Sequence, residues 1–293
     1  MVQQLGAFFP TRDMPADRGA IRAWAQAAEA IGFDYLEVSD HVLGADRANH
    51  PGFEGPYDID DSFHETFVTL SFFAAVTEDV GLSSGVLILP QRQTALVAKQ
   101  AAQLDILCRG RLRLGIGVGW NPVEYAALGQ DWKTRGRRQE EQIQLLNQLW
   151  TQRSVTFEGR FDTVRHAGIK PLPVQRPIPI WLGGGAEATL KRAAKHAQGW
   201  IPLGNPNDKT AAQLATLREH LKAEGRDPAS FGIEAWIRSG NGQGEQGPQA
   251  WRATLDRWRE LGATHATFYT SGQGIGGVDA QIDAMHRFMQ AAR

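Results

Sequence analysis

Two periods of hydrophobic residues alternate along the chain. A short apolar run over residues 2–9 stops at Pro10, and from Asp17 the residues Ile21, Trp24, Ala25, Ala28 and Ile31 recur at steps of three and four. This predicts a strand followed by a helix that Gly32 closes. Residues 33–38 predict a second strand. The alternation continues with a helix over 65–77, a strand over 80–89, a helix over 94–107, a strand over 111–120 and a helix over 137–150. Further on it predicts strands over 178–182, 200–203, 231–237 and 266–269, and helices over 187–197, 208–224, 249–261 and 278–289.

Two stretches break the rhythm. Residues 42–63 carry no periodicity and are rich in Gly, Pro, Asp and Asn, the signature of a lid or binding loop. Residues 155–157 and 161–164, joined by 158–160, predict an inserted hairpin. Residues 121–136 and the Gly-rich stretch 239–247 are expected to be loops. Eight strands alternating with eight helices define an α/β chain, read as a (β/α)8 TIM barrel with a long loop after strand 2 and an insertion before strand 5, one domain over residues 1–293. The rival, a doubly wound open sheet, has fewer strands and sets its glycine-rich turn after the first of them, not the fourth.

Composition narrows the partners. Among 293 residues, 31 basic and 32 acidic side chains give a net charge of −1, so no global field draws the chain to nucleic acid or to a membrane surface. A small-molecule ligand is expected. Residues 1–20 show no export pattern and no apolar run reaches membrane-spanning length. The single cysteine, Cys108, reads as a small buried hydrophobe of a reducing compartment, which points to the cytoplasm.

The candidate chemistry lies at strand ends, which in a barrel share one mouth. Gly115, Gly117 and Gly119 strip side chains from the end of strand 4, either to let a flat ligand lie against the backbone or to turn a barrel corner. Ser83-Ser84-Gly85-Val86 interrupts strand 3 with a bulge or a close backbone approach. Asp40-His41 ends strand 2: His41 is either a proton-transfer residue or a structural histidine, and Asp40 could fix its tautomer or accept a bond from a ligand. Gly183-Gly184-Gly185 opens into a helix start, a pattern that suits a phosphate and also a tight turn.

Lys133, Arg135, Arg137 and Arg138 cluster where a helix begins, as a solvated face or as a grip on an acidic cofactor tail. Phe9, His64, Trp120 and Trp200 are candidates for an aromatic, mainly apolar substrate pocket. No HExxH, CxxC, GxSxG or P-loop spacing occurs, so no metal is expected.

The chain resembles the luciferase-like monooxygenase superfamily, and within it the coenzyme F420-dependent oxidoreductases. The likeness runs through Gly32-Phe33-Asp34-Tyr35, Ser39-Asp40-His41-Val42, Gly85-Val86-Leu87-Ile88-Leu89-Pro90, Ala98-Lys99-Gln100 and Gly110-Arg111-Leu112. It continues with Gly119-Trp120-Asn121, Arg135-Gly136-Arg137-Arg138, Leu149-Trp150-Thr151 and Ile178-Pro179-Ile180-Trp181-Leu182-Gly183-Gly184. The resemblance implies a flavin or deazaflavin at the C-terminal mouth and Asp40 and His41 beside its reactive ring. It also implies a bulge at Gly85-Val86, often a non-proline cis peptide, backing that ring. The strand 4 glycines map to Gly117 and Gly119, and the phosphate loop to Gly183, Gly184 and Gly185. Members that oxidise a sugar phosphate carry a glutamate where this chain has Trp120, which turns the expectation toward a more apolar substrate.

The resulting expectation is an F420-dependent oxidoreductase that exchanges hydride with a small, largely apolar organic substrate, with His41 moving the proton. An FMN-dependent monooxygenase is the alternative within the fold, and a non-catalytic ligand-binding barrel is the alternative outside redox chemistry. A homodimer through Trp150, Trp251 and Trp258 is also expected.

Overall fold

The computed structural model describes Val2, residues 4–240 and residues 246–293; residues 241–245, within the Gly-rich stretch after strand 7, lie outside the described residues. The chain runs β1 (Gln4–Phe8), α1 (Arg18–Ile31), β2 (Tyr35–Val38), α2 (Thr66–Val76), β3 (Gly81–Ser84), β4 (Leu87–Ile88), α3 (Thr94–Leu107), β5 (Leu112–Gly117) and α4 (Pro122–Ala127). It continues with α5 (Arg135–Thr151), the hairpin β6 (Val155–Glu158) and β7 (Thr163–Ala167), β8 (Ile180–Gly183), α6 (Glu187–His196), β9 (Gly199–Ile201) and α7 (Asp208–Ala223). Last come β10 (Gly232–Arg238), α8 (Pro248–Leu261), β11 (His265–Tyr269) and α9 (Val278–Ala292).

All barrel pairings are parallel, and β1 closes the ring by pairing with both β2 and β11. The result is a closed eight-strand parallel barrel with helices outside it, the (β/α)8 TIM fold expected from the alternation. The α1 start follows from Asp17, whose carboxylate accepts from the Ala20 amide at 2.7 Å, and its end from Gly32 at φ +93°.

Two elements differ from the pattern-based expectation. The third stave is broken: Ser83 pairs with Arg113, while Leu87, four residues on, pairs with Ile116, only three residues on. One extra residue therefore bulges at Gly85-Val86, whose peptide bond is cis. The expected loop over 121–136 contains a helix, α4, because Asn121 caps it through the Val123 and Glu124 amides and Pro122 opens it.

The lower barrel is filled by polar groups held between rings. The Arg113 guanidinium sits 4.2 Å from the Trp181 ring centroid and 4.5 Å from that of Tyr35, and it pairs with Glu234 at 2.6 Å. Glycines make room for those rings: a Cβ on Gly6 would strike Tyr35, and one on Gly199 or Gly232 would strike Trp181. Trp150, Trp251 and Trp258 are each 0% exposed. They pack in the core, so the expectation that they form a subunit interface fails on burial. Among the described residues, no helix is long and apolar enough to cross a membrane, and no group of three His, Cys, Asp or Glu residues is placed to hold a metal ion.

Candidate active site

The C-terminal ends of the staves surround a cavity of about 470 Å³, within the range of about 300–1,000 Å³ usual for small-molecule sites. Asp40, His41, Gly85, Val86, Gly117, Gly119, Trp120, Gly183 and Gly184 all line it. The strand-end motifs singled out in the sequence therefore face one space.

Glycines 117 and 183 act indirectly. A Cβ on Gly117 would come within 2.5 Å of Val86 Cγ2, and one on Gly183 within 2.8 Å of Val86 Cγ1. The isopropyl group of Val86 thus fills the room that β5 and β8 vacate, and the floor of the cavity is this side chain on its bulge rather than bare main chain. Gly115 serves another end, because a Cβ there would overlap the Ser84 carbonyl oxygen. Gly119 adopts φ +67°, a turn that glycine enters without strain.

His41 is held from outside the Asp40-His41 pair. Its Nδ1 lies 3.3 Å from Oε2 of Glu124, a carboxylate that is fully buried on α4. Glu124 also accepts from the Val42 amide at 2.5 Å, the Leu43 amide at 3.3 Å and Gln91 Nε2 at 2.9 Å. Burial pushes its pKa up, but the His41 bond and charge, with Gln91 and the Val42 amide, outweigh that and hold it below the ordinary carboxylate value.

Asp40 cannot fix the His41 tautomer, because its oxygens are taken. Oδ1 accepts from Arg92 Nη2 at 2.7 Å and Thr66 Oγ1 at 3.1 Å, and Oδ2 accepts from the Ile88 amide at 2.9 Å. It clamps the end of β2 to β4. Arg92 is completed by Glu65 at 3.3 Å.

The loop after β2 walls the mouth. Tyr57, Phe63 and Trp120 surround the His41 ring at centroid distances of 5.2, 4.8 and 5.4 Å. Gly55 lies so close to the Trp120 ring that a Cβ there would overlap it. Arg47 to Asp58 at 2.5 Å and Arg12 to Asp61 at 2.6 Å pin the loop.

Of the four aromatic pocket candidates, Trp120 alone lines the cavity. Phe9 is 0% exposed and packs against Trp24 and Phe73, while its neighbour Phe8 lines the cavity. Trp200 is likewise turned to the core, its indole donating to Gly184 O at 2.6 Å. The reason is strand parity: on β9, Gly199 and Ile201 face the barrel interior, so Trp200 cannot. His64 lines a separate shallow groove with Ile21, Val68 and Phe72. Gly185 lies outside the cavity lining, its carbonyl accepting from Gln213 Nε2 at 2.7 Å. Tyr57, Trp236, Arg238 and Tyr269 line the cavity and were not singled out in the sequence.

Directly beneath the bulge lies Glu37, 0% exposed, packed so closely under Gly85 that a Cβ there would overlap its carboxyl group. Trp236 Nε1, on a residue lining the cavity, donates to Glu37 Oε1 at 3.1 Å. Burial, and then the charge of Glu234, push the Glu37 pKa well up, so it is a neutral acid. Glu234, paired with Arg113, carries the negative charge. Burial, and then Arg113, push the His265 pKa down to about 4, so that imidazole is neutral as well.

The closed parallel barrel thus brings an imidazole, a bulged floor and a glycine turn to one mouth. The chain belongs to the luciferase-like monooxygenase family, whose model matches residues 4–281. It is 36% identical over 217 residues to an uncharacterised protein of Mycobacterium tuberculosis, covering 71% of this chain and 73% of that one. It is 31% identical over 220 residues to the FMNH(2)-dependent dimethylsulfone monooxygenase of Pseudomonas putida, covering 74% and 57%. Among solved structures it is similar to an F420-dependent secondary alcohol dehydrogenase in complex with an F420-acetone adduct, with a TM-score of 0.80, 18% identity and full coverage of both chains. It is also similar to a long-chain alkane monooxygenase, with a TM-score of 0.78, 14% identity and coverage of 99% and 91%.

Proposed function

We propose that this protein is a coenzyme F420-dependent oxidoreductase acting on a small organic substrate. The observation that carries the reading is the convergence of Val86, His41 and the Gly183-Gly184 turn on one cavity. The residues present fit a tricyclic cofactor. Val86, backed by Gly117 and Gly183, offers an apolar floor at the right place for a ring. The helix that follows the Gly183-Gly184 turn has no side-chain cap at Ala186, so its first amides suit an anionic phosphate.

When bound, such a cofactor supplies the two-electron chemistry, exchanging hydride with the substrate. The chain's own contribution is to orient and to exclude water. His41, held through Nδ1 by Glu124, keeps Nε2 free to give or take a proton at the reacting atom. Trp120, Tyr57 and Phe63 shield that atom from solvent.

One observation favours a second reading, an FMN-dependent monooxygenase: the 31% identical relative is named for FMNH(2). Fluorescence titration of the cofactor-free protein with F420 and with FMN decides between them. Tighter binding of FMN, with oxygen consumed only when reduced FMN is supplied, would replace the deazaflavin reading. Binding of neither would leave a ligand-binding barrel without redox chemistry. We further propose that the chain forms a homodimer in the cytoplasm and acts without nucleic acid, membrane or metal.

A further inference from the structure

The charges around the cavity do not balance. Asp40 lines it but is matched by Arg92 at 2.7 Å, and Arg12 lines it but is matched by Asp61 at 2.6 Å. Arg238, the last residue of β10, lines it too, and among the described residues its side chain makes no hydrogen bond and meets no carboxylate at ion-pair distance. Its guanidinium lies 4.8 Å from the Tyr269 ring centroid and 5.7 Å from that of Trp236. Those two rings stack on each other at 5.0 Å and 23°. Ring faces back the guanidinium but accept none of its five N–H donors in a proper hydrogen bond. A half-buried fork with its donors open toward a cavity is a receptor for an anion.

We infer that the substrate of this site carries a carboxylate, received by Arg238, on an apolar body that lies among Phe8, Tyr57, Trp236 and Tyr269. The planar fork matches a carboxylate in bidentate fashion, which a neutral oxygen or an ammonium group cannot reproduce. Only the word substrate rests on the oxidoreductase reading; the anion preference rests on the charge balance. The same balance explains why the cavity can be largely apolar and still select: its walls give area, and Arg238 gives direction.

The test uses three acids, benzoate, phenylacetate and hexanoate, against their amides, with binding read by calorimetry and by the fluorescence of the cavity tryptophans. In the wild type the acids bind about 10- to 100-fold tighter than the amides, the range of a charge-assisted hydrogen bond. Arg238→Met brings the acids down to the amides and leaves the amides unchanged. Arg238→Lys restores part of the difference, since it returns the charge without the fork.

F420 and FMN are titrated against the same variants, and their affinities stay as in the wild type. Equal binding of acids and amides by the wild type, or no acid binding at millimolar concentration, would overturn the inference. So would a loss of F420 or FMN affinity in Arg238→Met with the acids unaffected, which assigns the guanidinium to the cofactor. Acids bound through Arg238 by a protein that takes up neither cofactor would uphold the inference and remove the oxidoreductase reading.

Discussion

His41 Nδ1 faces Glu124 Oε2 at 3.3 Å, across 83 residues of sequence. The carboxylate that receives it also gathers the Val42 and Leu43 amides and Gln91. One buried charge therefore sets both the imidazole and the chain that leaves it.

Removing the imidazole and removing its partner have separable effects. His41→Ala lowers turnover by about 10²- to 10⁴-fold, the usual range for a general acid or base, while cofactor affinity changes little. Glu124→Gln lowers turnover less and costs stability as well, about 1–3 kcal/mol, because the new amide faces the Gln91 donor. The pH dependence follows from the lowered pKa of Glu124. Folded, it binds its proton more weakly than unfolded, so it stabilises the fold above its ordinary value of 4.5 and that contribution is lost as pH falls through the lower folded value. Urea melts at pH 7 and below pH 4.5 check this: the gap between wild type and Glu124→Gln narrows on acidification.

The floor of the cavity is a matched set of small and branched side chains. Gly117→Ala sets a Cβ 2.5 Å from Val86 Cγ2 and pushes the isopropyl group into the cavity. Such overpacking costs about 1–3 kcal/mol, and cofactor affinity falls with it. Val86→Ala in the same chain returns the missing room, so the double variant recovers part of both losses. Additive losses in the double variant, read by fluorescence titration and urea melts, would show that the two side chains do not meet.

The two acids under the floor have opposite behaviour. Glu37 holds its proton in the fold and releases it in the unfolded chain, so its presence costs stability increasingly as pH rises above 4.5 toward its raised folded value. Glu37→Gln copies the neutral acid and keeps the acceptor for Trp236 Nε1, so it is neutral below pH 4.5 and more stable than wild type at pH 7. Glu234→Gln leaves Arg113 with Glu37 as its remaining carboxylate, at 3.7 Å, and Glu37 then ionises. The double variant strands the guanidinium inside the barrel and loses about 3–5 kcal/mol beyond the single changes. Denaturant melts of the three variants across pH 4–8 measure each term.

The alternation of periods was enough to read the barrel, because a stave must alternate and a covering helix must repeat near every third or fourth residue. The mouth was legible where glycines and His41 mark it. Distant partners were less so: nothing near His41 points to Glu124. Asn121-Pro122-Val123-Glu124 does carry a helix-start signal, a capping residue, a proline and an acid three places on, but the helix it opens spans only six residues and hides in a stretch read as loop. Strand parity was the other signal available. Gln4, Gly6 and Phe8 alternate with the more apolar Leu5, Ala7 and Phe9, which assigns Phe8 to the interior and Phe9 to the helices. The role of Gly117 was not readable, since it depends on Val86 arriving from another stave.

Helix α2 bears on subunit pairing, because a helix that is apolar on every side is ordinarily covered on every side. Its sequence, TFVTLSFFAAV, contains no charged residue, yet Val68 is 69% exposed on its outer face and Leu96, on the adjacent helix α3, is 50% exposed. Phe72 is half-buried beside Val68 in the groove that also holds His64. If a second copy of the chain covers this face in solution, Val68→Asp puts an unpaired carboxylate into an apolar interface and shifts the protein to the mass of a single chain in sedimentation velocity. Arg252→Ala, on the far helix α8, leaves the mass unchanged. An unchanged mass for Val68→Asp would assign this face to solvent and send the search for an interface elsewhere.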